Sequence, residues 1–217
     1  EFEKVYEPIK SYNEFQHNWI TERMNESIED YINFIKTVKD KKYPVKVKFG
    51  LEVCYIPETA DILTDVLKKY DFDFLTGSVH WIDGWGFDHK GQKETWESKN
   101  TEEIYKRYYE IMFQLCESNL FTGLAHPDSI KCFGYKPNID LSDYYNKLAL
   151  LLNKHNMYAE NSGGLKLNYS SDNELGLNAQ LMSILKMNNV RIETASDAHN
   201  QKDVGANIRE LEKMIYG

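Results

Sequence analysis

NVRIETASDAHNQ, Asn189–Gln201, decides the reading of the fold. Its first seven residues, NVRIETA, form a β-branched run of strand length. The run ends almost at once on Asp197 and His199, and a segment of helical period, VGANIRELEKMIYG (204–217), follows. Four upstream runs share this texture: VKVKFGLEV (45–53), FDFLTGSVH (72–80), LFTGLAH (120–126) and MYAEN (157–161). The segments between them place apolar residues at i, i+3 and i+4. They are SIEDYINFIKTVKD (27–40), ETADILTDVLKKY (58–70) after Pro57, TEEIYKRYYEIMFQLCES (101–118), LSDYYNKLALLLNKHN (141–156) and LNAQLMSILKMNN (177–189). Thr101 is the expected N-cap of the third of these helices, with acidic residues in its first turn. Each parallel strand must be reached by a crossover, so the alternation predicts an α/β fold around a parallel sheet.

The rest of the composition narrows the possibilities. A chain of 217 residues can bury one sizeable core, and no linker rich in Pro, Gly or Ser interrupts it, so residues 1–217 are read as a single domain. The net charge of −8 argues against a nucleic-acid partner, and the acids are interleaved with Lys as on a solvated surface. No apolar run has the length of a transmembrane helix, and no signal peptide is visible. Cys54, Cys116 and Cys132 are odd in number and widely spaced, which fits reduced thiols in a cytoplasmic protein rather than a disulfide framework. The opening EFEKVYEPIK lacks Met and has no clear period, the expectation being a processed or cropped chain. WIDGWGFDHKGQKETWESKN (81–100) is read as one long irregular insertion of the kind that serves function.

The strand ends carry the chemistry. The first run ends on Gly50-Leu51-Glu52, the second on Gly77-Ser78-Val79-His80 and the third on His126-Pro127-Asp128. The fourth ends on Glu160-Asn161-Ser162 and the fifth leads to Asp197-Ala198-His199. In parallel β/α proteins function collects at the carboxyl ends of strands. Each residue alone has an ordinary explanation: a core histidine, a strand cap, an ion pair with Lys or, for Asp197, a helix cap. Their joint placement predicts a shared metal site formed by Glu52, His80, His126, Asp197 and His199. Imidazole and carboxylate donors without thiolate suit Zn, Mn or Fe. Two such ions about 3.5–4 Å apart can clamp a phosphate and activate water. Five protein ligands suffice for one ion, are thin for two and too few for three. Pro127 is expected to hold His126 in extended geometry.

At these residues the chain resembles the PHP family, the polymerase and histidinol phosphatase superfamily, and most of all its histidinol-phosphate phosphatase branch. FGLEVCYIPE, LTGSVHWIDGWGFD, GLAHPDSIKCFG and ASDAHNQKDVG carry the resemblance in order and spacing, over nearly the whole chain from about residue 25. The resemblance implies a distorted (β/α)7-type barrel with two or three divalent ions at its carboxyl face. Glu52 would then be a bridging carboxylate, His80 and His126 ligands from the middle strands, and Asp197 with His199 the closing pair. Glu52, Asp197 and His199 would be the catalytic group. The implied reaction is hydrolysis of a small-molecule phosphate ester, L-histidinol phosphate, in histidine synthesis. Two departures stand out. The family opens with an H-x-H strand, and nothing here matches it; His17 has neither the partner nor the strand. The first strands are therefore expected to be missing from this chain. The Arg that usually follows SGL in this branch is Lys166 here, in ENSGGLKLNYSS. Lys166 and, after HPDSI, Lys131 are the candidate phosphate contacts, and Asp83 or Asp88 could meet the amines of histidinol. His89 is read as loop surface. The rival readings are a PHP-fold enzyme for another phosphate ester and a non-catalytic remnant.

Overall fold

The short β-branched and aromatic runs pair side by side. A computed structural model describes residues 2–170 and 172–217. Strands β1 (Gly50–Cys54) and β2 (Phe74–Ser78) are followed by a hairpin, β3 (Trp81–Ile82) and β4 (Trp85–Gly86). Then come β5 (Gly123–Leu124), β6 (Tyr158–Ser162) and β7 (Ile192–Ala195). The sheet has five strands in the order β1-β2-β5-β6-β7, all pairs parallel. Because the strands share one direction, their carboxyl ends form one rim. Among the described residues no pairing joins the edges β1 and β7.

All five expected strands are present; four are shorter than their sequence runs, and β6 has the expected length shifted by one residue. Residues 45–49 lie outside β1, with Val45 and Val47 exposed, and the chain is fastened there by Phe49 N donating to the Asp73 carboxylate at 2.8 Å. The helices are α1 (Phe2–Val5), α2 (Glu7–Lys10), α3 (Glu14–Arg23), α4 (Ile28–Val38), α5 (Ala60–Leu67), α6 (Thr101–Glu117), α7 (Ser142–Lys154), α8 (Ala179–Met187) and α9 (Ile208–Tyr216). Six of these nine helices among the described residues match the periodic segments. The cap of α6 differs by one residue from expectation: the Asn100 side chain, not Thr101, accepts from Glu102 N and Glu103 N. One hydrophobic cluster runs through the molecule, from Val5 and Ile9 to Leu185 and Ile192, with the buried face of α6 inside it. All three cysteines are unpaired, and no described helix is long and apolar enough to cross a membrane.

Two parts of the chain are more ordered than their sequence texture suggests. The opening residues form α1 and α2, which bury only Val5 and Ile9, too few positions to write a period. Helix α3 buries Gln16 and Ile20, and the polar member of that pair hides the stripe. Gln16 Nε2 donates to Ile9 O (3.0 Å) and Gly84 O (2.6 Å), while Gly86 N donates to Gln16 Oε1 (3.0 Å). One buried amide thus ties the first helices to the hairpin. The insertion 81–100 is likewise packed: Asp83 and Gly84 both take positive φ (48° and 82°) in the two-residue turn of β3–β4, as such hairpins require. Trp85 and Trp96 are buried against each other, and their indole N–H groups donate to Thr95 Oγ1 (2.8 Å) and Phe87 O (2.7 Å).

Gln16→Ala should therefore leave Gly86 N and Gly84 O without the side-chain partners that Gln16 gives them, Ile9 O keeping its bond from Tyr12 N, and cost on the order of 2–3 kcal/mol. Denaturant unfolding measures it; a loss within a few tenths of wild type would show that the amide is not the tie.

Candidate metal centre

Three side chains from adjacent strands meet at the rim. Glu52 lies in β1, His80 two residues beyond β2 and His126 two residues beyond β5. Nε2 of His80 is 3.3 Å from Glu52 Oε1, and Nε2 of His126 is 3.2 Å from the same oxygen. The imidazole rings are 5.0 Å apart. One ligand atom from each of the three residues lies within 4.8 Å of the others, a spacing that can hold a metal ion. His126 is buried and takes φ 27°, not the extended geometry expected before Pro127, and Asp197 takes φ 53°. Backbone held in this region by non-glycine residues stores strain that the surrounding structure must impose.

The other ring nitrogen of His80 sets its role. Nδ1 lies 2.6 Å from Asp88 Oδ2, and Tyr169 OH donates to the same oxygen at 3.0 Å. Asp88 is buried with its Oδ2 engaged by both His80 and Tyr169, so it orients His80, and it also lines the cavity described below. With Nδ1–H donating to Asp88, the lone pair of Nε2 faces Glu52. Two acceptors 3.3 Å apart need something positive between or upon them: a proton, or a cation. Carboxylate-oriented imidazoles of this kind are characteristic of metal ligands.

Glu52, His80, His126, Asp197 and His199 all line one cavity of about 670 Å³. Asp197 is half-buried beyond the group of three, its carbonyl accepting from Asn168 Nδ2 at 3.0 Å. Gly164 passes so close that a Cβ there would collide with Asp197 Oδ2. His199 is largely exposed at the rim, with Nδ1 3.1 Å from Asp197 O. Lys166 is exposed and does not line the cavity. Lys131 is engaged elsewhere: its ammonium meets Asp128 at 2.7 Å, Glu174 at 2.9 Å and Gly176 O at 2.8 Å, so it ties loops together and does not line the cavity. Asp83 is held by Arg107 through Nη2 at 2.8 Å and Nε at 2.9 Å, outside the cavity. His89, expected on the surface, packs instead against Trp19 and Trp81, ring centroids 4.3 and 4.7 Å away, and lines the cavity. Arg23, Tyr169 and Asn168 also line it and had carried no sequence signal, since no strand end or motif marks them.

A family model of the PHP domain matches residues 9–163. The chain belongs to the PHP-domain family. A protein of Deinococcus radiodurans named as a probable histidinol-phosphatase is 32% identical over 111 residues, which are 51% of this chain and 43% of that protein. A protein of Schizosaccharomyces pombe with the same name is 22% identical over 199 residues, 86% of this chain and 64% of its own. The PHP chain thus spans less than two thirds of each of these relatives. Among solved structures, a histidinol phosphatase structure from Listeria monocytogenes has a TM-score of 0.71 at 18% identity, covering 85% of this chain and 76% of that one. A histidinol phosphate phosphatase from Lactococcus lactis, solved with zinc, L-histidinol and phosphate, has a TM-score of 0.58 at 16% identity over 87% and 71% of the two chains. At such identities these neighbours share the fold.

The electrostatics of this PHP site fit a cation. Burial pushes Glu52 up, but the charges and hydrogen bonds of His126 and His80 outweigh it and hold the carboxyl well below its usual range. Burial pushes both imidazoles down, yet Asp88 and Glu52 raise His80 well above its ordinary value and Glu52 raises His126. Burial raises Glu160, in the middle of β6, to about 7, with Glu52 and Asp197 adding to the push and His126 opposing it. Burial likewise raises Asp197, partly offset by His126. A metal ion would take the place of the protons on His80 and His126, so its affinity must fall as pH drops through their raised pKa values. Zinc binding measured by calorimetry should weaken with decreasing pH by up to about tenfold per unit for each proton displaced. Asp88→Asn should weaken it about 10–100-fold at fixed pH, because the amide no longer holds the His80 tautomer. A pH-independent affinity would place the metal elsewhere.

Proposed function

We propose that this PHP domain is a metal-dependent phosphomonoesterase that hydrolyses L-histidinol phosphate to L-histidinol and phosphate. The observation that carries the proposal is the meeting of Glu52, His80 and His126 on one carboxylate oxygen, in a cavity that Asp197 and His199 also line. The names borne by the relatives supply the substrate, and the Lactococcus lactis structure supplies zinc and both products as bound groups in that protein. The five parallel strands with two unpaired edges are consistent with part of a distorted seven-strand barrel.

His80, His126 and Glu52 would hold the first ion, zinc, manganese or iron, and Asp197 with His199 would complete or extend the site toward a second. Such ions polarise a phosphoryl group and activate water for in-line attack. The chain's own residues set the geometry. Asp88 and Tyr169 fix the His80 ring, and Asn168 fixes the turn that presents Asp197. His89, whose imidazole burial makes harder to protonate, packs against Trp19 and Trp81 and lines the cavity. A second reading is an esterase for another small phosphate ester, favoured by the position of Lys166 outside the cavity.

Asp197→Asn, which keeps the shape and removes the charge, and His199→Ala should each lower turnover on the order of 100-fold or more without changing the unfolding midpoint appreciably. A panel of phosphate esters with zinc and manganese separates the two readings: L-histidinol phosphate turned over no faster than an aryl phosphate would end the specific assignment.

A further inference from the structure

A phosphomonoester brings about two negative charges into a cavity that Glu52, Asp88 and Asp197 already make acidic. Metal ions answer part of that charge, and a fixed cation must answer the rest and set the angle of the phosphoryl group. Neither sequence-derived lysine is placed to do so: Lys166 stands outside and Lys131 is bound to two carboxylates. The cations that line the cavity are Arg23, at the end of α3, and Lys90, an exposed residue of the insertion. Arg23 is the better placed. It borders the cavity of the three metal-site residues, a neighbouring one lined by His80, Cys54 and Tyr6, and a third lined by Glu52, Leu51 and Met24, so it stands where all three meet.

Its guanidinium is held in position. The Cζ lies 4.4 Å from the centre of the Trp19 ring, and that ring is braced edge-on against His89 (4.3 Å) and Trp81 (5.8 Å). The cation–π contact holds the guanidinium beside the ring without using its N–H donors. The one ion pair recorded for Arg23 is with Glu22 at 3.9 Å, where both side chains are more than half exposed, a contact that competes weakly. A planar fork with unspent donors, lining the same cavity as Glu52, His80 and His126, suits bidentate binding of phosphate oxygens.

We propose that Arg23 receives the phosphate group of the substrate, a role assigned to a helix of the N-terminal segment rather than to the loop after β6. The proposal rests on the phosphomonoesterase reading of the same site. The test compares wild type, Arg23→Lys, Arg23→Ala and Lys166→Ala, each loaded with zinc. Steady-state hydrolysis of L-histidinol phosphate and p-nitrophenyl phosphate is measured, together with calorimetric binding of inorganic phosphate, which needs no turnover. Arg23→Ala should raise KM and weaken phosphate binding about tenfold or more, with zinc content and unfolding midpoint unchanged. Arg23→Lys should recover only part of this, and Lys166→Ala should match wild type. Unchanged phosphate affinity in Arg23→Ala, or an equal loss in Lys166→Ala, would overturn the proposal, as would a wild type that binds no phosphate. Arg23-dependent phosphate binding without hydrolysis of either ester would keep the anion site and discard the esterase reading.

Discussion

One oxygen atom, Oε1 of Glu52, is approached by two imidazole nitrogens that start 28 and 74 residues away along the chain. Bringing such distant groups together carries a loop-closure cost that the groups themselves cannot repay. The parallel sheet repays it. Pairing Glu52 with Thr76, and Thr76 with Gly123, fixes β1, β2 and β5 in register, and the common strand direction then delivers Glu52, His80 and His126 to the same rim. The site is a consequence of register: a slip of one residue in β1 would turn Glu52 to the opposite face and leave the two histidines without their carboxylate.

The sheet makes one wall of the cavity, and the other is made by segments that look least like structure. The hairpin β3–β4 and the packed tryptophans behind it hold Asp88 in the interior, at the distance where it can grip His80. Gln16 joins that hairpin to the opening helices, and α3 then brings Trp19 and Arg23 over the cavity. The orientation of His80 and the placing of Arg23 over the cavity therefore share one mechanical support. A buried amide with three satisfied bonds is a rigid joint because any displacement exposes its partners to an unmet hydrogen bond.

Much of this was legible in the sequence, for stated reasons. The five strands and six of the described helices follow from period, and His80 and His126 from their strand-end positions, because a strand end has a known direction in a parallel sheet; Glu52, read at a strand end, lies instead in the middle of β1. What could not be read depends on contacts between segments far apart. Asp88 looks like any loop carboxylate until the fold sets it against His80. Lys131 looks like a free cation until Asp128 and Glu174 close on it. Gln16 breaks the apolar stripe of α3 by being buried, so periodicity discards the residue that matters. The hairpin was a different case: Asp83-Gly84 between Trp81-Ile82 and Trp85-Gly86 is a local turn signal, present in the sequence and overshadowed by the length of the insertion.

The balance of charge at the rim explains why these groups need a cation at all. Glu52, Asp88, Glu160 and Asp197 interact electrostatically with His80 or His126, and the imidazoles can neutralise only two of them, by taking protons. The surplus shows in Glu160 and Asp197, which burial pushes toward the neutral acid while the other carboxylates push the same way. A packed interior tolerates such crowding only where charge of the other sign is supplied. Divalent ions supply it without protonating the ligands, and they leave the acids ionised to do their work. The cost of gathering the carboxylates before a cation arrives is met by the core beneath them, where α6 and the strands bury a continuous apolar cluster. The buried cluster thus lies in the body of the domain and the proposed ligands at its rim.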